Sequence, residues 1–160
     1  MLKPVFSFMA MALMTLATGC AVPSVQPGAS RDEVVSRYGT PSRVVAMASG
    51  TRLQYSRQPA GQSAVMVDLD AAGRVTAVRE VLNLAGFSTL VVGQSSREDT
   101  ERALGRPASV DRVGSWSGDI LTYRWRDHDQ DMLYWFYLDA RQVVQRTARG
   151  MEFPVSPNDN

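Results

Sequence analysis

Apolar and polar residues alternate along two stretches of the chain, and the two stretches follow the same order. The alternating apolar positions are Leu53, Tyr55, Val65, Val67, Leu69, Val75 and Ala77 in the first stretch, and Leu121, Tyr123, Trp125, Tyr134, Phe136, Leu138 and Val143 in the second. Period-two alternation interrupted by hairpin-sized polar gaps predicts antiparallel strands with one face packed on another layer. The pattern leaves open whether these strands form one continuous sheet or two.

A short helix is predicted before each set of strands. The paired positions are Ser30 and Ser96, the acids three residues later (Glu33 and Asp99), and the glycines that follow (Gly39 and Gly105). Serine followed by an acid at this spacing is typical of a capping box, which begins a helix. Glycine followed by proline two residues later is expected to end each helix as a left-handed C-cap. Helices this short are not stable alone, so we expect them to pack on the strands.

The two stretches are copies of one pattern. Ser96 lies 66 residues after Ser30, and Asp139 lies 69 residues after Asp70, so the spacing drifts by three residues only. An internal repeat indicates two copies of one supersecondary unit. The predicted fold class is therefore α+β, with two tandem repeats of a short helix (or helical hairpin) and a three- to four-stranded antiparallel sheet.

The N-terminal residues have the organisation of a secretory signal. The apolar run Val5–Leu16 is shorter than the roughly 20 residues that span a bilayer, and it has the length of a signal h-region. Residues 17–20, Ala-Thr-Gly-Cys, resemble the bacterial lipobox. The resemblance implies cleavage before Cys20, lipid on its thiol and amine, and retention at the outer membrane because Ala21 follows. An uncleaved anchor or an ordinary signal peptide remains the alternative.

Six segments follow from these patterns. They are a signal peptide (1–19), a tether (20–29), the first repeat (30–80), a linker with room for a short helix (81–92), the second repeat (93–150) and a loose tail (151–160). The tether carries two prolines, one glycine and no charged side chain, a composition typical of a short spacer.

Composition and charge exclude several classes of function. The chain has 44% hydrophobic and 21% charged residues, as ordinary globular proteins do. Its formal net charge of +1 argues against a nucleic-acid-binding protein, which carries a basic excess. One cysteine excludes an internal disulfide, and one histidine excludes most histidine-based metal sites. We expect no cofactor and no metal.

The residues needed for catalysis do not form a recognisable set. The only histidine, His128, lies in the predicted polar turn 127–131, and neither a G-x-S-x-G elbow nor a P-loop is present. The three aspartates of that turn match the opening of a calcium loop. However, Met132 takes the position of the required glycine and Leu138 that of the terminal glutamate. The sequence predicts a protein that is not an enzyme.

The motif of the repeat resembles the SmpA/OmlA (BamE-like) outer-membrane lipoprotein family. The matching residues are Gly28, Ser30, Glu33, Val34, Tyr38, Gly39, Pro41, Tyr55, Asp70 and Gly73 in the first copy, and Gly93, Ser96, Asp99, Leu104, Gly105, Pro107, Tyr123 and Asp139 in the second. The family, which includes a small subunit of the β-barrel assembly machinery, combines a lipobox, a helical hairpin and a three-stranded antiparallel sheet. Secreted β-lactamase inhibitor proteins share this topology, in two copies that build one concave sheet.

Strand positions that point away from the predicted helix form the candidate binding surface. In the second repeat these residues are Arg124, Arg126, Leu133, Trp135 and Tyr137, alongside Thr122. Large aromatic side chains with arginine are typical of protein-binding hot spots. The equivalent positions of the first repeat are the plainer Arg52, Gln54, Met66 and Asp68. Alternatively, Trp135 and Tyr137 pack against the other repeat, the linker or the tail.

These patterns together predict a non-catalytic lipoprotein that faces the periplasm from the outer membrane. Its expected partners are the membrane, through lipid on Cys20, and an envelope protein such as a β-barrel assembly component. The expected role is binding or scaffolding in envelope assembly or integrity. The alternative is an inhibitor-like module that occludes a periplasmic enzyme.

Overall fold

A computed structural model describes residues 25–153. The signal peptide, Cys20 and residues 154–160 lie outside the described residues. The elements, in chain order, are α1 (Arg31–Tyr38), β1 (Arg43–Met47), β2 (Gly50–Ser56), β3 (Ala64–Asp70), β4 (Val75–Glu80), α2 (Leu84–Phe87), α3 (Arg97–Leu104), β5 (Ser109–Asp111), β6 (Ile120–Asp127), β7 (Gln130–Leu138) and β8 (Val144–Met151).

The strands form two separate antiparallel sheets, each a four-stranded meander. Sheet 1 has the order β1-β2-β3-β4 and sheet 2 the order β5-β6-β7-β8. The α+β class and the antiparallel strands are therefore confirmed. The single concave sheet that the likeness to β-lactamase inhibitor proteins implied is not formed among these residues.

The two predicted helices, α1 and α3, begin with the predicted capping boxes, but their C-terminal ends differ from the prediction. The Oγ atoms of Ser30 and Ser96 accept hydrogen bonds from the amides three residues later, and both capping boxes are complete. Gly39 and Gly105 have φ of 81° and 82°, with ψ of −161° and −170°. The predicted left-handed C-cap is therefore wrong, because ψ is extended at both. This backbone conformation is essentially restricted to glycine.

A β-bulge at the same place in each sheet changes which residues of the last strand face the core. The register shifts between Asp68 and Leu69 in sheet 1 and between Tyr137 and Leu138 in sheet 2. The packed positions of β4 and β8 consequently differ from the alternation that the sequence predicted. Beyond the bulge in β4 the core takes Val78 instead of Ala77. In β8 the core residue is Val144, which precedes the bulge, and not Val143. A bulge adds one residue on one strand, which inverts the faces beyond it.

The alternation pattern did not fully predict the strands at the sheet edges. The side chains of β5 are all exposed, and β1 buries only Val45. β8 is mostly polar and extends to Met151, inside the predicted tail. The Glu152 amide then donates to the Asp131 oxygen at 2.9 Å. Edge strands need no alternation when neither face is buried, so their sequences resemble loops.

The segment before each helix packs on its own sheet. Val25 is buried, and the Gly28 amide donates to the Val75 oxygen at 2.7 Å. The matching bond in the second repeat joins the Gly93 amide to Val144, also at 2.7 Å. Residues 25–29, which fall within the predicted tether, therefore pack against sheet 1. The predicted linker 81–92 likewise contributes α2 to the core.

Two cores hold the repeats together. The first lies between α1 and the inner face of sheet 1, and its centre is formed by Val34, Leu53 and Val67. The second contains Met66 from the opposite, outer face of sheet 1, together with α2, α3 and the inner face of sheet 2. The order of layers is α1, sheet 1, α2 with α3, and sheet 2. The repeats therefore share a core and form one unit.

Candidate functional site

The predicted binding residues lie together on the outer face of sheet 2. Tyr123 and Phe136 are buried against the helices, so the alternate residues of β6 and β7 point the other way. Arg124 pairs with Leu133 across the two strands. Trp135 and Tyr137 follow at two-residue intervals along β7, on the same face. The structure thus brings all five predicted residues onto one surface.

The matching face of sheet 1 is covered by a helix. Gln54 is only 1% exposed, and its Nε2 donates to the main-chain oxygens of Glu101 and Arg102 in α3, both at 3.0 Å. Met66 is fully buried beside the same helix. Among residues 25–153 no helix covers the outer face of sheet 2. Equivalent faces of the two sheets therefore have different surroundings.

Two residues that the sequence analysis missed, Trp116 and Arg146, contact the aromatic side chains of this surface. Trp116, from the loop between β5 and β6, packs edge-on against Tyr137 with 5.3 Å between ring centroids. Its Nε1 donates to the Leu138 oxygen at 2.6 Å. The guanidinium carbon of Arg146 lies 3.9 Å from the Tyr137 ring centroid and 5.3 Å from that of Trp116. Neither residue belongs to an alternating segment, and Arg146 lies in the polar strand β8.

Trp135 lies beside β8 at a position where glycine makes room for it. A Cβ atom on Gly150 would be 3.0 Å from the Trp135 ring carbon Cη2. Trp135 and Tyr137 are both half-buried. Tyr137 owes this to Trp116 and Arg146 of its own repeat. The ring contacts of Tyr137 in the described residues are therefore with its own repeat.

The two predicted arginines differ in their surroundings. Arg124 donates to Glu152 through Nε and to the Pro59 oxygen through Nη1, both at 2.6 Å. Its own main-chain oxygen accepts from Gln58 Nε2 at 2.6 Å, so Arg124 joins the two repeats. Arg126 is 59% exposed and pairs with Asp131 at 2.9 Å. An exposed pair of this kind contributes about 0–1 kcal/mol, so Arg126 is free to exchange partners.

Buried carboxylates elsewhere serve the fold. Asp119 is 4% exposed and binds Arg112 Nε at 2.6 Å and Arg97 Nη1 at 3.0 Å. Its hydrogen bond with Arg112 holds the pKa of Asp119 below its usual value, against the opposing effect of burial. Asp68, which is half-buried, is paired with Arg52 and Arg79. Each carboxylate thus has cationic partners that compensate for its burial.

The predicted acidic turn is an exposed hairpin turn. His128 is 94% exposed and its Nδ1 lies 3.0 Å from the Asp127 carboxylate. Within the described residues, no three His, Cys, Asp or Glu side chains are grouped so as to hold a metal ion. In the same range no helix has both the length and the apolarity that crossing a bilayer requires.

Comparison with known proteins adds little to this geometry. No protein-family model matches the chain, and no curated protein matches it. A solved structure with partial similarity is the crystal structure of a DUF4309 family protein (YjgB) from Bacillus subtilis subsp. subtilis str. 168. It is 17% identical, covers 77% of this chain and 78% of that chain, and has a TM-score of 0.31. A likeness this low supports no argument about fold or function.

Proposed function

We propose that the chain is a lipid-anchored binding module of the bacterial envelope, which docks another envelope protein on the outer face of sheet 2. The observation that carries the proposal is the difference between the two outer faces. The face of sheet 1 is covered by α3, whereas the face of sheet 2 presents Trp116, Trp135 and Tyr137 at the surface. The role does not require catalytic residues.

The aromatic surface is suited to binding because it is already ordered. Trp116 is held by its hydrogen bond to the Leu138 oxygen, and Tyr137 lies between Trp116 and Arg146. Rings held in this way lose little conformational entropy when a partner covers them. Arg126, at the edge of the face, offers an exchangeable charge that could pair with an acidic group of the partner.

The proposed anchor limits where the partner can be. Val25 is packed in the core between α1 and sheet 1, and Cys20 precedes it by only five residues. An extended chain of this length reaches at most about 17 Å. Lipid on Cys20 would therefore hold the domain close to the membrane. The resemblance to the SmpA/OmlA family supports the outer membrane and favours β-barrel assembly components as partners.

Crosslinking in the native envelope tests the docking surface. The chain and a Trp135→Ala, Tyr137→Ala variant are crosslinked in cells, and the captured proteins are identified by mass spectrometry. We expect the variant to lose an envelope protein that the native chain captures. A Val44→Ala variant is the control, because Val44 is exposed and lies on β1 of sheet 1, away from the outer face of sheet 2. Unchanged capture by the double variant would contradict the proposal.

The anchor is tested separately. Mass spectrometry of the N-terminal peptide from a membrane fraction is expected to show acyl chains on Cys20. Recovery of Cys20 without acyl chains would contradict the proposed lipid anchor. The proposed docking surface would still be tested by the crosslinking experiment. The inhibitor-like alternative depended on one concave sheet across both repeats, and the described sheets are separate. Capture of a soluble periplasmic hydrolase would favour that alternative.

A further inference from the structure

A cleft of about 600 Å³ lies between the two repeats, where α2 and α3 pack over the outer face of sheet 1. Sheet 1 contributes Arg52 and Arg79 to its lining, α2 contributes Ala85 and Gly86, and α3 contributes Ala103. Cavities that bind small molecules have volumes of roughly 300–1,000 Å³ and mostly apolar walls. The cleft is therefore large enough to be a ligand site.

The helical side of the cleft is apolar because its side chains are small. A Cβ atom on Gly86 would lie 2.0 Å from the Val81 oxygen, so α2 lies directly against the end of β4. Ala85 is exposed and Ala103 is half-buried, and neither side chain fills the space between the helices and the sheet. A ligand here would meet mainly carbon atoms on this side.

The polar side chains near α2 already have partners. Asn83 accepts a hydrogen bond from the Gly86 amide at 2.9 Å and donates to the Glu80 oxygen at 2.8 Å. The Thr89 hydroxyl donates to the Gly86 oxygen at 2.7 Å. The Glu80 carboxylate accepts from two main-chain amides, at 2.9 and 3.0 Å. These bonds hold α2 in place and leave little polar chemistry for a ligand.

Arg79 differs from these residues because it has donors to spare. Arg52 and Arg79 share the single carboxylate of Asp68. Arg52 uses Nε and Nη2 for this carboxylate and Nη1 for the Arg102 oxygen. Arg79 donates to Asp68 through Nη2, and its side chain is 54% exposed. Within residues 25–153, its Nε and Nη1 have no acceptor. A guanidinium fork of this kind matches a carboxylate.

We propose that the cleft binds an apolar carboxylic acid, that is, an aliphatic chain with one carboxylate. The carboxylate accepts from Arg79, and the chain lies against Ala85 and Ala103. A ligand with several polar groups would leave them without partners in the cleft, which is costly. The site requires neither lipid on Cys20 nor the outer face of sheet 2, so this inference is independent of the proposed function.

Photolabelling of the full chain in phosphatidylcholine nanodiscs tests the proposal. The probe is decanoic acid with a diazirine near the end of its chain, and labelled peptides are identified by mass spectrometry. We expect saturable labelling of the peptides that contain Ala85 or Ala103. Decanoate should displace the probe, and decanol should do so at least about fivefold more weakly, because it lacks the charge that Arg79 binds. Labelling that misses both peptides, or equal displacement by decanol, would overturn the proposal.

A change at Arg79 tests the contact with the carboxylate. Arg79→Gln should raise the half-saturating probe concentration at least about fivefold, and Arg79→Lys should recover part of the loss because it keeps the charge. Asp68 remains paired with Arg52 in both variants, so we expect both to fold. Arg141→Gln is the control, because Arg141 is an 86% exposed arginine beside an aspartate and does not line the cleft.

A change at Ala85 tests the apolar side independently. Ala85→Leu should weaken labelling, because the larger side chain takes up space that the aliphatic chain needs. Ser88→Leu is the control, since Ser88 is exposed at the end of the same helix and does not line the cleft. The proposal is wrong if Arg79→Gln binds the probe as tightly as Arg141→Gln does. It is equally wrong if Ala85→Leu binds it as tightly as Ser88→Leu does.

Discussion

The side-chain amide of Gln54 donates a hydrogen bond to the main-chain oxygen of Arg102, 3.0 Å away, and so joins the sheet of the first repeat to a helix of the second. The bond reaches the last turn of α3, where main-chain oxygens lack partners within the helix. Gln54 is buried at this contact. The outer face of sheet 1 is therefore an internal interface of the protein.

Removing this amide should destabilise the whole chain. Gln54→Ala removes a hydrogen bond from each helix oxygen, while the Gly105 amide still donates to Glu101 and Arg52 Nη1 still donates to Arg102. We therefore expect a loss of about 0.5–1.5 kcal/mol of unfolding free energy. Gln145→Ala is the matched control, because the Gln145 amide bonds only to Asp139 on the exposed surface. Urea denaturation followed by fluorescence measures both variants. Because the repeats share a core, we expect a single transition, and separate unfolding of the repeats would contradict this description.

Gly118 should not tolerate a methyl group. A Cβ atom there would lie 2.0 Å from the Leu138 oxygen, and the equivalent Gly50 meets the Leu69 oxygen at 2.0 Å. Because the strands must shift to relieve the overlap, we expect Gly118→Ala to lower the unfolding free energy by roughly 1–3 kcal/mol. Gly114→Ala is the control, since nothing lies within 4 Å of its added Cβ. Equal stability of the two variants in thermal denaturation would show that the close approach is absent.

Acid should weaken the fold partly through Asp119. The hydrogen bond from Arg112 holds the pKa of Asp119 in the folded chain below the ordinary value of 3.8. Burial opposes this shift, and the charge of Arg97 adds to it. A lowered pKa stabilises the folded state above the unfolded pKa, and this stabilisation is lost as pH falls through the folded pKa. Between about pH 5 and pH 3 we expect the urea midpoint of the native chain to fall more steeply than that of Asp119→Asn. Parallel midpoint curves would contradict the assignment.

Trp116 and Tyr137 should be energetically coupled. Their edge-on contact and the shared Arg146 predict a coupling free energy of about 0.5–1.5 kcal/mol in a double-mutant cycle of Trp116→Ala and Tyr137→Ala. Unfolding free energies of the two single variants and the double variant provide the cycle. Additive effects would mean that the loop does not order the aromatic surface, and the proposed docking face would lose its preorganisation.

Local patterns predicted the elements that are held by local chemistry. The capping boxes at Ser30 and Ser96 depend on residues close in the chain. So does the alternation that places Tyr123 and Trp125 on one face of β6. Edge strands such as β5 were missed because their side chains are all exposed and leave no alternation. The bulge opposite Tyr137 and Leu138 was missed because its extra residue, Gln145, lies in the mostly polar strand β8, where no apolar alternation marks the change of face.

The candidate surface was partly predictable. The alternation of β6 and β7 indicated that Trp135 and Tyr137 share a face, and the structure places them there. Trp116 and Arg146 could not be assigned to that face, because one lies in a loop and the other in a polar strand. Arg124 was predicted as a binding residue, but its bonds to Pro59 and Glu152 involve it in holding the repeats together.

The sequence by itself determined that the chain contains two copies of one helix-and-strand pattern, because caps, turns and alternation are encoded within a few residues of each other. Only the tertiary structure decided how the copies stack. Gln54 is polar and alternates with buried Leu53 as a solvent-facing residue would, yet it lies in the interface with α3. Burial of a polar side chain depends on the partner that satisfies its hydrogen bonds, and that partner lies 47 residues away.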